Sequence, residues 1–370
     1  MTATRRTSSR PGVPSADGVD VLASLLDTHG LTTVVCGRID LTPPWRLESA
    51  PTDLFSILLQ VSGQSHIEQK TLPEPLVINA GDILIRPRGK ADGYMHDGSN
   101  PPTATWRLSV PAPGDRVPTP RPLRLARDPG HPVSSVVSCL LRMGDAPRGP
   151  LLDSLPELIH IPTGTTSRYT GLRQAADVMI SEAASPGPAS TRLMSRLAEI
   201  LLILVLRQQA DERSGHPGLR ALNDPLIAPA IRHMHADPAY PWTVAALASA
   251  CGLSRSAFAD HFSEVVGISP GAYLTEWRMA SATKLLATTY TTVDRVAASV
   301  GYRSEAAFRR AFTTALGCTP REYRTRTRSK ALPRTDLRSR PVTAPSGPAG
   351  TGPATAPGPS PARCPAGNPP

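Results

Sequence analysis

The sequence predicts a multidomain α+β protein with a β-rich N-terminal half, a central helical segment and an all-α C-terminal domain. Three patterns lead to this prediction. Short apolar runs between turn signals occupy residues 19–110, apolar residues at helical spacing occupy 169–209, and an internal repeat occupies 243–323. A chain of 370 residues is long enough to give each part its own core.

In the N-terminal half, strand-like runs such as TTVVCGRIDL, FSILLQV, LVINAG and DILIRP are separated by Pro, Gly and Asp. Several short strands at this spacing indicate a β-sandwich or a β-barrel. A Pro-rich stretch at 111–132 interrupts the pattern. Residues 1–18 are polar and are predicted to be disordered.

Two helices are predicted in the central segment, at 169–184 and at 191–209. The second is apolar over much of its circumference, so it must be buried against something. Packing within the chain and a dimer interface are both open as explanations. The SGHPG stretch at 214–218 is typical of an interdomain hinge.

These patterns give five predicted segments. They are a disordered N-terminus at 1–18, a β-rich domain at 19–165, a helical linker or dimerisation segment at 166–213, an all-α domain at 219–325 and a disordered Pro/Ala/Arg-rich tail at 326–370.

The formal net charge of +10 favours an anionic partner, with nucleic acid as the first candidate. The five cysteines are odd in number and widely spaced, which argues against a disulfide framework or a structural zinc site. No apolar segment follows the basic N-terminus, and the longest apolar run, 200–206, is far too short for a membrane span. We therefore expect a reduced, soluble, cytoplasmic protein without a metal, a cofactor or a membrane partner.

Nine positions recur in two copies within 243–323. The first copy has Leu247, Ala248, Gly252, Leu253, Phe258, Phe262, Gly267, Pro270 and Tyr273, and the second has Val296, Ala297, Gly301, Tyr302, Phe308, Phe312, Gly317, Pro320 and Tyr323. The spacing differs only by one extra residue between Gly301 and Phe308. Such agreement indicates a duplicated structural unit.

Each copy has the local signals of a helix-turn-helix unit. Thr243, and Thr291 or Thr292, are predicted to cap the first helices, and Ser254 and Ser304 the second helices. Gly252 and Gly301 follow the first helices, where the chain needs a positive φ. The Phe258/Phe262 and Phe308/Phe312 pairs bury one face of each second helix.

The small, polar and charged residues on the exposed face of the second helices and in the turns before them are the predicted DNA contacts. They are Ser254, Arg255, Ser256, Ala259 and Asp260 in the first copy, and Arg303, Ser304, Glu305, Ala306, Arg309 and Arg310 in the second. Arg310 is expected to read a guanine edge, whereas Ser254, Arg303 and Ser304 are expected to reach phosphates. A helix over 271–287, roughly 25 Å long, is expected to set the two units in successive major grooves of double-stranded DNA.

The stretches MHADPAYPWTVAALASACGLSRSAFADHFSEVVGISPGAYLTEWRM and SVGYRSEAAFRRAFTTALGCTPREYR resemble the DNA-binding domain of AraC-type transcriptional regulators. The resemblance covers about 100 residues. It implies two helix-turn-helix units joined by a linker helix, and a homodimer joined by the helices at 169–209. Ala246 departs from the glutamate that the family often has there, which removes a capping box.

The segment from Gly81 to Gly89, ending in Pro-x-Gly, resembles the second motif of the cupin-like sensor domain found in one AraC-type subgroup. This resemblance implies a β-barrel with a small-molecule pocket. The metal ligands of enzymatic cupins are missing, since no His-x-His pair precedes the motif and Ala91 and Asp92 stand where its histidine would follow. His66 and His96 are the remaining histidines of interest.

The aromatic residues Trp45, Phe55, Tyr94 and Trp106 either line the pocket or belong to an ordinary core, and the latter is the simpler interpretation for each.

The leading hypothesis is a sequence-specific, effector-controlled regulator that binds a promoter or operator and contacts RNA polymerase if it is an activator. No catalytic residue, cofactor or metal ligand is assigned, and no effector-binding residue can be named. One alternative is a constitutive, oligomerising DNA binder that takes no ligand. Another is a cupin enzyme fused to a DNA-binding module.

Overall fold

A computed structural model describes residues 16, 18–49, 52–88, 93–98, 105–108, 123–125, 134–144, 146–162, 170–211 and 217–331. The predicted N-terminal disorder, apart from residues 16 and 18, and the tail beyond Ala331 lie outside these ranges. In the part of the chain that the structure describes, every helix is too short or too polar to span a bilayer.

The N-terminal strands form two sheets. The strands are β1 (Leu31–Leu41), β2 (Arg46–Ser49), β3 (Phe55–Ser62), β4 (Gln64–Gln69), β5 (Leu76–Asn79), β6 (Ile83–Arg86), β7 (Gly93–His96), β8 (Thr105–Leu108), β9 (Leu123–Leu125), β10 (Ser134–Met143) and β11 (Ile159–Ile161). One sheet has six strands in the order β11-β6-β3-β10-β1-β9, and the other has five in the order β5-β4-β7-β2-β8.

Alternate side chains of the two sheets meet in a shared core. Leu58 of β3 and Val136 of β10 come from the six-stranded sheet, and Leu47 of β2, Ile67 of β4 and Met95 of β7 come from the five-stranded sheet. Their neighbours along each strand point to the opposite faces because side chains alternate with a period of two. The β-rich half is therefore confirmed as two sheets packed against each other.

The helices are α1 (Val21–His29), α2 (Gly149–Asp153), α3 (Thr170–Ala184), α4 (Ser190–Asp211), α5 (Pro217–Arg220), α6 (Ala228–Ala236), α7 (Val244–Ala250), α8 (Arg255–Val266), α9 (Pro270–Thr288), α10 (Val293–Ser299), α11 (Glu305–Leu316) and α12 (Pro320–Ala331). The helices predicted at 169–184 and 191–209 are confirmed within two residues by α3 and α4. Both pack on β1 and cover the outer face of the six-stranded sheet.

Two features of the N-terminal half differ from the sequence analysis. Among the described residues the first regular element is α1, in a region that the sequence predicts to be strand-like, and Asp20 caps this helix by accepting the Ala23 N–H at 2.9 Å. Cys36 and Cys139 are joined by a disulfide, although the cysteine spacing argued against one. The register of β1 and β10 places these two residues opposite each other across 103 residues of sequence.

The predicted hinge at 214–218 and the predicted domain end at 325 agree with the structure only in part. Residues 212–216 of the region around the predicted hinge lie outside the described ranges, and 217–220 form α5, where Gly218 is buried. Helix α12 continues to Ala331, six residues past the predicted domain end at 325. The five segment limits stay a prediction.

The apolar core is divided unequally between the two helix pairs of the C-terminal domain. One cluster runs from the six-stranded sheet through α4 to α8 and α9, including Leu201, Phe258, Phe262 and Trp277. A separate cluster holds α10, α11, α12 and the C-terminal half of α9 together. The first helix pair, α7 and α8, thus shares a core with the N-terminal domain, whereas the second pair, α10 and α11, has its own.

Candidate nucleic-acid interface

The first helix pair begins and ends at the residues that the sequence predicts. Thr243 accepts the Ala246 N–H at 3.1 Å and starts α7, and Ser254 accepts the Ala257 N–H at 3.2 Å and starts α8. Between them Gly252 has a φ of 69°, a left-handed conformation that favours glycine. Gly267, with a φ of 86°, ends α8.

The second pair repeats this pattern. Thr292 rather than Thr291 caps α10, Gly301 turns the chain with a φ of 83°, and Ser304 caps α11 by accepting the Ala307 N–H at 3.2 Å. Gly317 ends α11 in the left-handed conformation, as Gly267 ends α8. The predicted caps and turns of both copies are confirmed.

Matching aromatic clusters anchor α8 and α11. The ring centroids of Phe258 and Phe262 are 5.6 Å apart at 54°, and those of Phe308 and Phe312 are 5.5 Å apart at 54°. An edge-on tyrosine completes each cluster, with Tyr273 at 5.6 Å from Phe262 and Tyr323 at 5.7 Å from Phe312. The two helices have 12 residues each and are therefore equivalent position by position.

The predicted contact residues lie on the sides of α8 and α11 away from these clusters, or in the turns before them. Exposed are Ser254, Arg255, Ser256, Asp260, Arg303, Ser304, Ala306, Arg309 and Arg310, and half-buried are Ala259 and Glu305. The structure thus brings each set together on one surface.

The two arginines of α11 differ in whether a neighbouring side chain pairs with them. Arg309 donates from its Nε to Glu305 at 2.7 Å, one helical turn away, so part of its charge is neutralised within the helix. Arg310 has no ion-pair or hydrogen-bond partner among the described residues. The guanidinium of Arg310 is consequently available to a ligand.

The linker helix α9 holds the two pairs at a defined spacing. It has 19 residues and is therefore about 28 Å long, which confirms the predicted helix at 271–287. Arg278 fixes it to the loop before α7 by donating to the carbonyls of Pro238 at 2.8 Å and Tyr240 at 3.0 Å. Burial lowers the pKa of this guanidinium.

Helix α12 adds basic residues that the sequence analysis assigned to the domain end and the tail. Arg324 and Arg328 donate to the carbonyls of Thr291 and Thr289 in the loop before α10. The Arg328 guanidinium also lies 4.0 Å from the ring centroid of Tyr290, a side chain that is 89% exposed. The segment that forms α12 has helix-forming residues but no apolar stripe, so its sequence does not predict which residues it contacts.

A buried histidine, also absent from the sequence predictions, links the N-terminal domain to the linker helix. His235 of α6 bonds to the Ser24 hydroxyl of α1 through Nδ1 at 2.7 Å and to the Tyr273 hydroxyl through Nε2 at 2.7 Å. Its ring stacks on Trp277 at 3.7 Å. Burial, together with His29, lowers the pKa of His235 to about 3, so this histidine is neutral at physiological pH.

His66 and His96 meet across β4 and β7, with ring centroids 5.3 Å apart. Ile67 and Met95 point between the sheets, so the two histidines lie on the outer face of the five-stranded sheet. His96 Nε2 is 3.2 Å from Glu68 Oε1, while burial lowers the pKa of His96. Within the described ranges, no group of three or more His, Cys, Asp or Glu side chains is arranged to hold a metal ion.

Three of the four aromatic residues considered for a ligand pocket have described side chains, and these three do not come together. Trp45 fills the core between the sheets, whereas Phe55 belongs to the core on the other side of the six-stranded sheet. Tyr94 lies beside Arg46 and Glu68 on the outer face of the five-stranded sheet. Trp106 lies in β8, and its side chain, like Gly89, Ala91 and Asp92, is outside what the structure describes.

Comparison with known protein families assigns both halves of the chain. Residues 20–211, which are 192 of the 370 residues, match the Cupin family, and residues 247–326 match a helix-turn-helix domain family.

An AraC-like transcription regulator from Streptomyces antibioticus is 40% identical over 178 residues, which are 47% of this chain and 58% of that relative. The match thus spans less than two thirds of that protein. The HTH-type transcriptional regulator AlkR of Acinetobacter baylyi is 29% identical over 314 residues, 83% of this chain and 99% of its own length.

Among solved structures, a DNA-binding transcriptional dual regulator from Escherichia coli K-12 is 33% identical over 26% of this chain and 86% of that chain, with a TM-score of 0.25. The family matches and the relatives' names agree on one assignment. The chain belongs to the Cupin family through residues 20–211, its residues 247–326 form an AraC-type helix-turn-helix domain, and its relatives are named as transcriptional regulators.

Proposed function

We propose that this protein is a sequence-specific DNA-binding transcriptional regulator. The observation that carries the proposal is the pair of equivalent helices α8 and α11, each anchored by an aromatic cluster and each exposing polar residues on its other side. Each helix pair then acts as a helix-turn-helix unit whose second helix enters the major groove. Such a protein works on chromosomal DNA in the cytoplasm.

The length of α9 supports binding by both units at once. A spacer of about 28 Å is close to the ~34 Å between successive major grooves on one side of the duplex. Residues 225–330 carry 13 Lys and Arg against 7 Asp and Glu, an excess of 13 − 7 = 6 positive charges that favours a phosphate backbone. In this arrangement Arg310 reads a guanine, whereas Ser254, Arg303 and Ser304 contact phosphates.

Arg310→Ala tests this placement. We expect the variant to lose about 1–3 kcal/mol of binding free energy for its preferred duplex, while its melting temperature stays unchanged because the side chain is exposed and unpaired. The measurement is fluorescence anisotropy on a duplex selected by the wild-type protein. Arg192→Ala, which removes an equally exposed cation from α4, is the control. Equal affinities of all three proteins would refute the placement of α11 in the groove.

The N-terminal domain is proposed to be a cupin-like barrel that senses a small molecule. The hydrogen bonds from Ser24 through His235 to Tyr273 support coupling between this domain and α9, since they connect α1, α6 and the linker helix directly. An effector acting by this route must both raise the melting temperature and change the affinity for the selected duplex. If the regulator is an activator, RNA polymerase is a further partner.

One observation favours the alternative of a constitutive DNA binder. The space between the sheets is filled by the protein's own side chains, with Trp45, Ile67 and Ile78 at most 1% exposed. The enzyme alternative lacks such support, because His66 and His96 point away from this space. A DNA affinity that no small metabolite changes would favour the constitutive form.

We also propose that the protein forms a homodimer through α4 and its neighbour α3. Three apolar side chains on these helices are exposed: Val178 at 48%, Leu193 at 43% and Ile200 at 44%. Leu193 and Ile200 are seven residues apart and share one face of α4. Ile200→Glu is expected to turn a dimer into a monomer in sedimentation velocity, whereas Thr191→Glu, on the opposite face, leaves it dimeric. A monomeric wild-type protein would refute this proposal.

A further inference from the structure

At two corresponding positions, α8 and α11 carry side chains of opposite charge. Both helices start after a capping serine and have their phenylalanines at positions 4 and 8, so their residues correspond without a gap. Position 1 is Arg255 in α8 and Glu305 in α11, and position 6 is Asp260 in α8 and Arg310 in α11. The duplicated scaffold therefore presents two chemically different surfaces.

Position 6 is the centre of the surface that faces away from the core. It lies two residues from each phenylalanine of the pair, which corresponds to about 200° around the helix axis in either direction. Asp260 and Arg310 are thus diametrically opposite the buried aromatic pairs, and both are exposed. When a recognition helix lies in the major groove, a side chain at this position points at the base edges rather than at the strands.

The two side chains at position 6 select opposite base chemistry. A guanidinium donates to O6 and N7 of guanine, which are both acceptors. A carboxylate only accepts hydrogen bonds, and the amino donors of the major groove are N4 of cytosine and N6 of adenine. Adenine also presents its N7 acceptor beside N6, which repels a carboxylate, so cytosine is the favoured partner. The acceptors of guanine and the phosphates both repel a carboxylate. Asp260 has no hydrogen-bond or ion-pair partner within the part of the chain that the structure describes, so its carboxylate is available to accept a hydrogen bond from a base.

Resting on the proposed function, we propose that Asp260 is a specificity-determining residue that selects cytosine at the base position where the second unit, through Arg310, selects guanine. The two halves of the binding site for one protein chain then differ in sequence, even though the two units share one fold. The operator of one chain is bipartite and not a direct repeat. Charge also differs between the exposed faces: Arg255, Asp260 and Glu264 sum to −1, and Glu305, Arg309 and Arg310 sum to +1. The second unit therefore provides the stronger attraction to phosphates.

The test is selection of binding sequences from a pool of random duplexes by the full-length wild type and by two variants, Asp260→Arg and Arg310→Asp. The wild type should enrich one motif with a cytosine and a guanine about one helical turn apart. Asp260→Arg should change only the cytosine position to guanine, and Arg310→Asp should change only the guanine position to cytosine. Replacing the selected cytosine pair should weaken wild-type binding about 5- to 150-fold.

Asp27→Arg is the matched control, because it makes the same change of two charge units on the exposed side of α1. Its motif should be that of the wild type. A motif that Asp260→Arg leaves unchanged, while Arg310→Asp alters it, would overturn the role of Asp260 and leave the proposed function intact. Failure of the wild type to enrich any motif would overturn the proposed function itself. Circular dichroism of each variant shows that the fold is retained, which is expected for exposed positions.

Discussion

Phe312→Ala tests whether the second helix pair is a folding unit separate from the rest of the chain. Phe312 is fully buried and contacts Phe308 and Tyr323 in the cluster formed by α9, α10, α11 and α12. Its counterpart Phe262 is equally buried, but it belongs to the large core that continues into the N-terminal domain. The same substitution therefore removes the same ring from two cores of different size.

The expected magnitude follows from the size of the smaller core. Truncating a buried phenylalanine to alanine costs about 3–5 kcal/mol. The residues from Met279 to Arg328 number about 50, and a typical stability of ~0.05–0.15 kcal/mol per residue gives this unit roughly 3–8 kcal/mol. Phe312→Ala thus removes most of the stability of the second pair, while the larger core keeps its own.

Urea unfolding followed by two probes separates these outcomes. All four tryptophans, Trp45, Trp106, Trp242 and Trp277, precede the second pair in sequence, so fluorescence reports unfolding of the rest of the chain and not of the second pair. Far-ultraviolet circular dichroism reports every helix. For Phe312→Ala we expect helix signal to be lost at lower urea than the fluorescence change. For Phe262→Ala we expect both signals to move together. Coincident transitions in Phe312→Ala, shifted by the same amount, would refute the division into two cores.

Three further predictions concern stability. Burial lowers the pKa of His235 from 6.5 to about 3, so below pH 6.5 the unfolded chain takes up a proton that the folded chain does not. The free energy of unfolding should then fall by up to about 1.4 kcal/mol per pH unit as the pH drops from 6.5, and the slope should be smaller in His235→Gln, as measured by urea midpoints at several pH values. Gly301→Ala should destabilise by about 1 kcal/mol or more beyond Gly252→Ala in thermal melts. Both glycines have a positive φ, so an alanine is strained at either position. At Gly301 the added Cβ would also lie 2.7 Å from Nη2 of Arg278, whereas at Gly252 it would point into open space. Ser304→Ala should cost about 1 kcal/mol through the lost cap of α11, and an unchanged melting temperature would show that the cap contributes nothing.

The C-terminal domain was predictable because its signals are local. A serine or threonine cap, a glycine with positive φ and an i, i+4 phenylalanine pair each act within a few residues. Ser254, Ser304, Gly252 and Gly301 therefore occupy the predicted roles. The sequence left either Thr291 or Thr292 as the cap of α10, and the structure shows that Thr292 is the cap.

For the N-terminal half, the sequence predicts that strands are present but not how they pair. Which strands pair depends on residues far apart in the chain, and a register change of one residue moves a side chain to the other face. Cys36 and Cys139 meet across 103 residues, and the outward direction of His66 and His96 follows from the register of β4 and β7. The sequence does not predict helix α1, because this helix has only nine residues and is separated from β1 by Gly30 alone.

The duplicated helix pairs, their caps and the charge reversal between Asp260 and Arg310 follow from the amino-acid sequence alone, because all of these are properties of short segments. Only the tertiary structure shows that no distant segment among the described residues supplies a partner for Arg310, whereas the pairing of Arg309 with Glu305 is local to α11. The tertiary structure also decided that the first helix pair shares a core with the N-terminal domain while the second does not. Burial of apolar surface between distant segments is a property of the whole chain, and no local pattern records it.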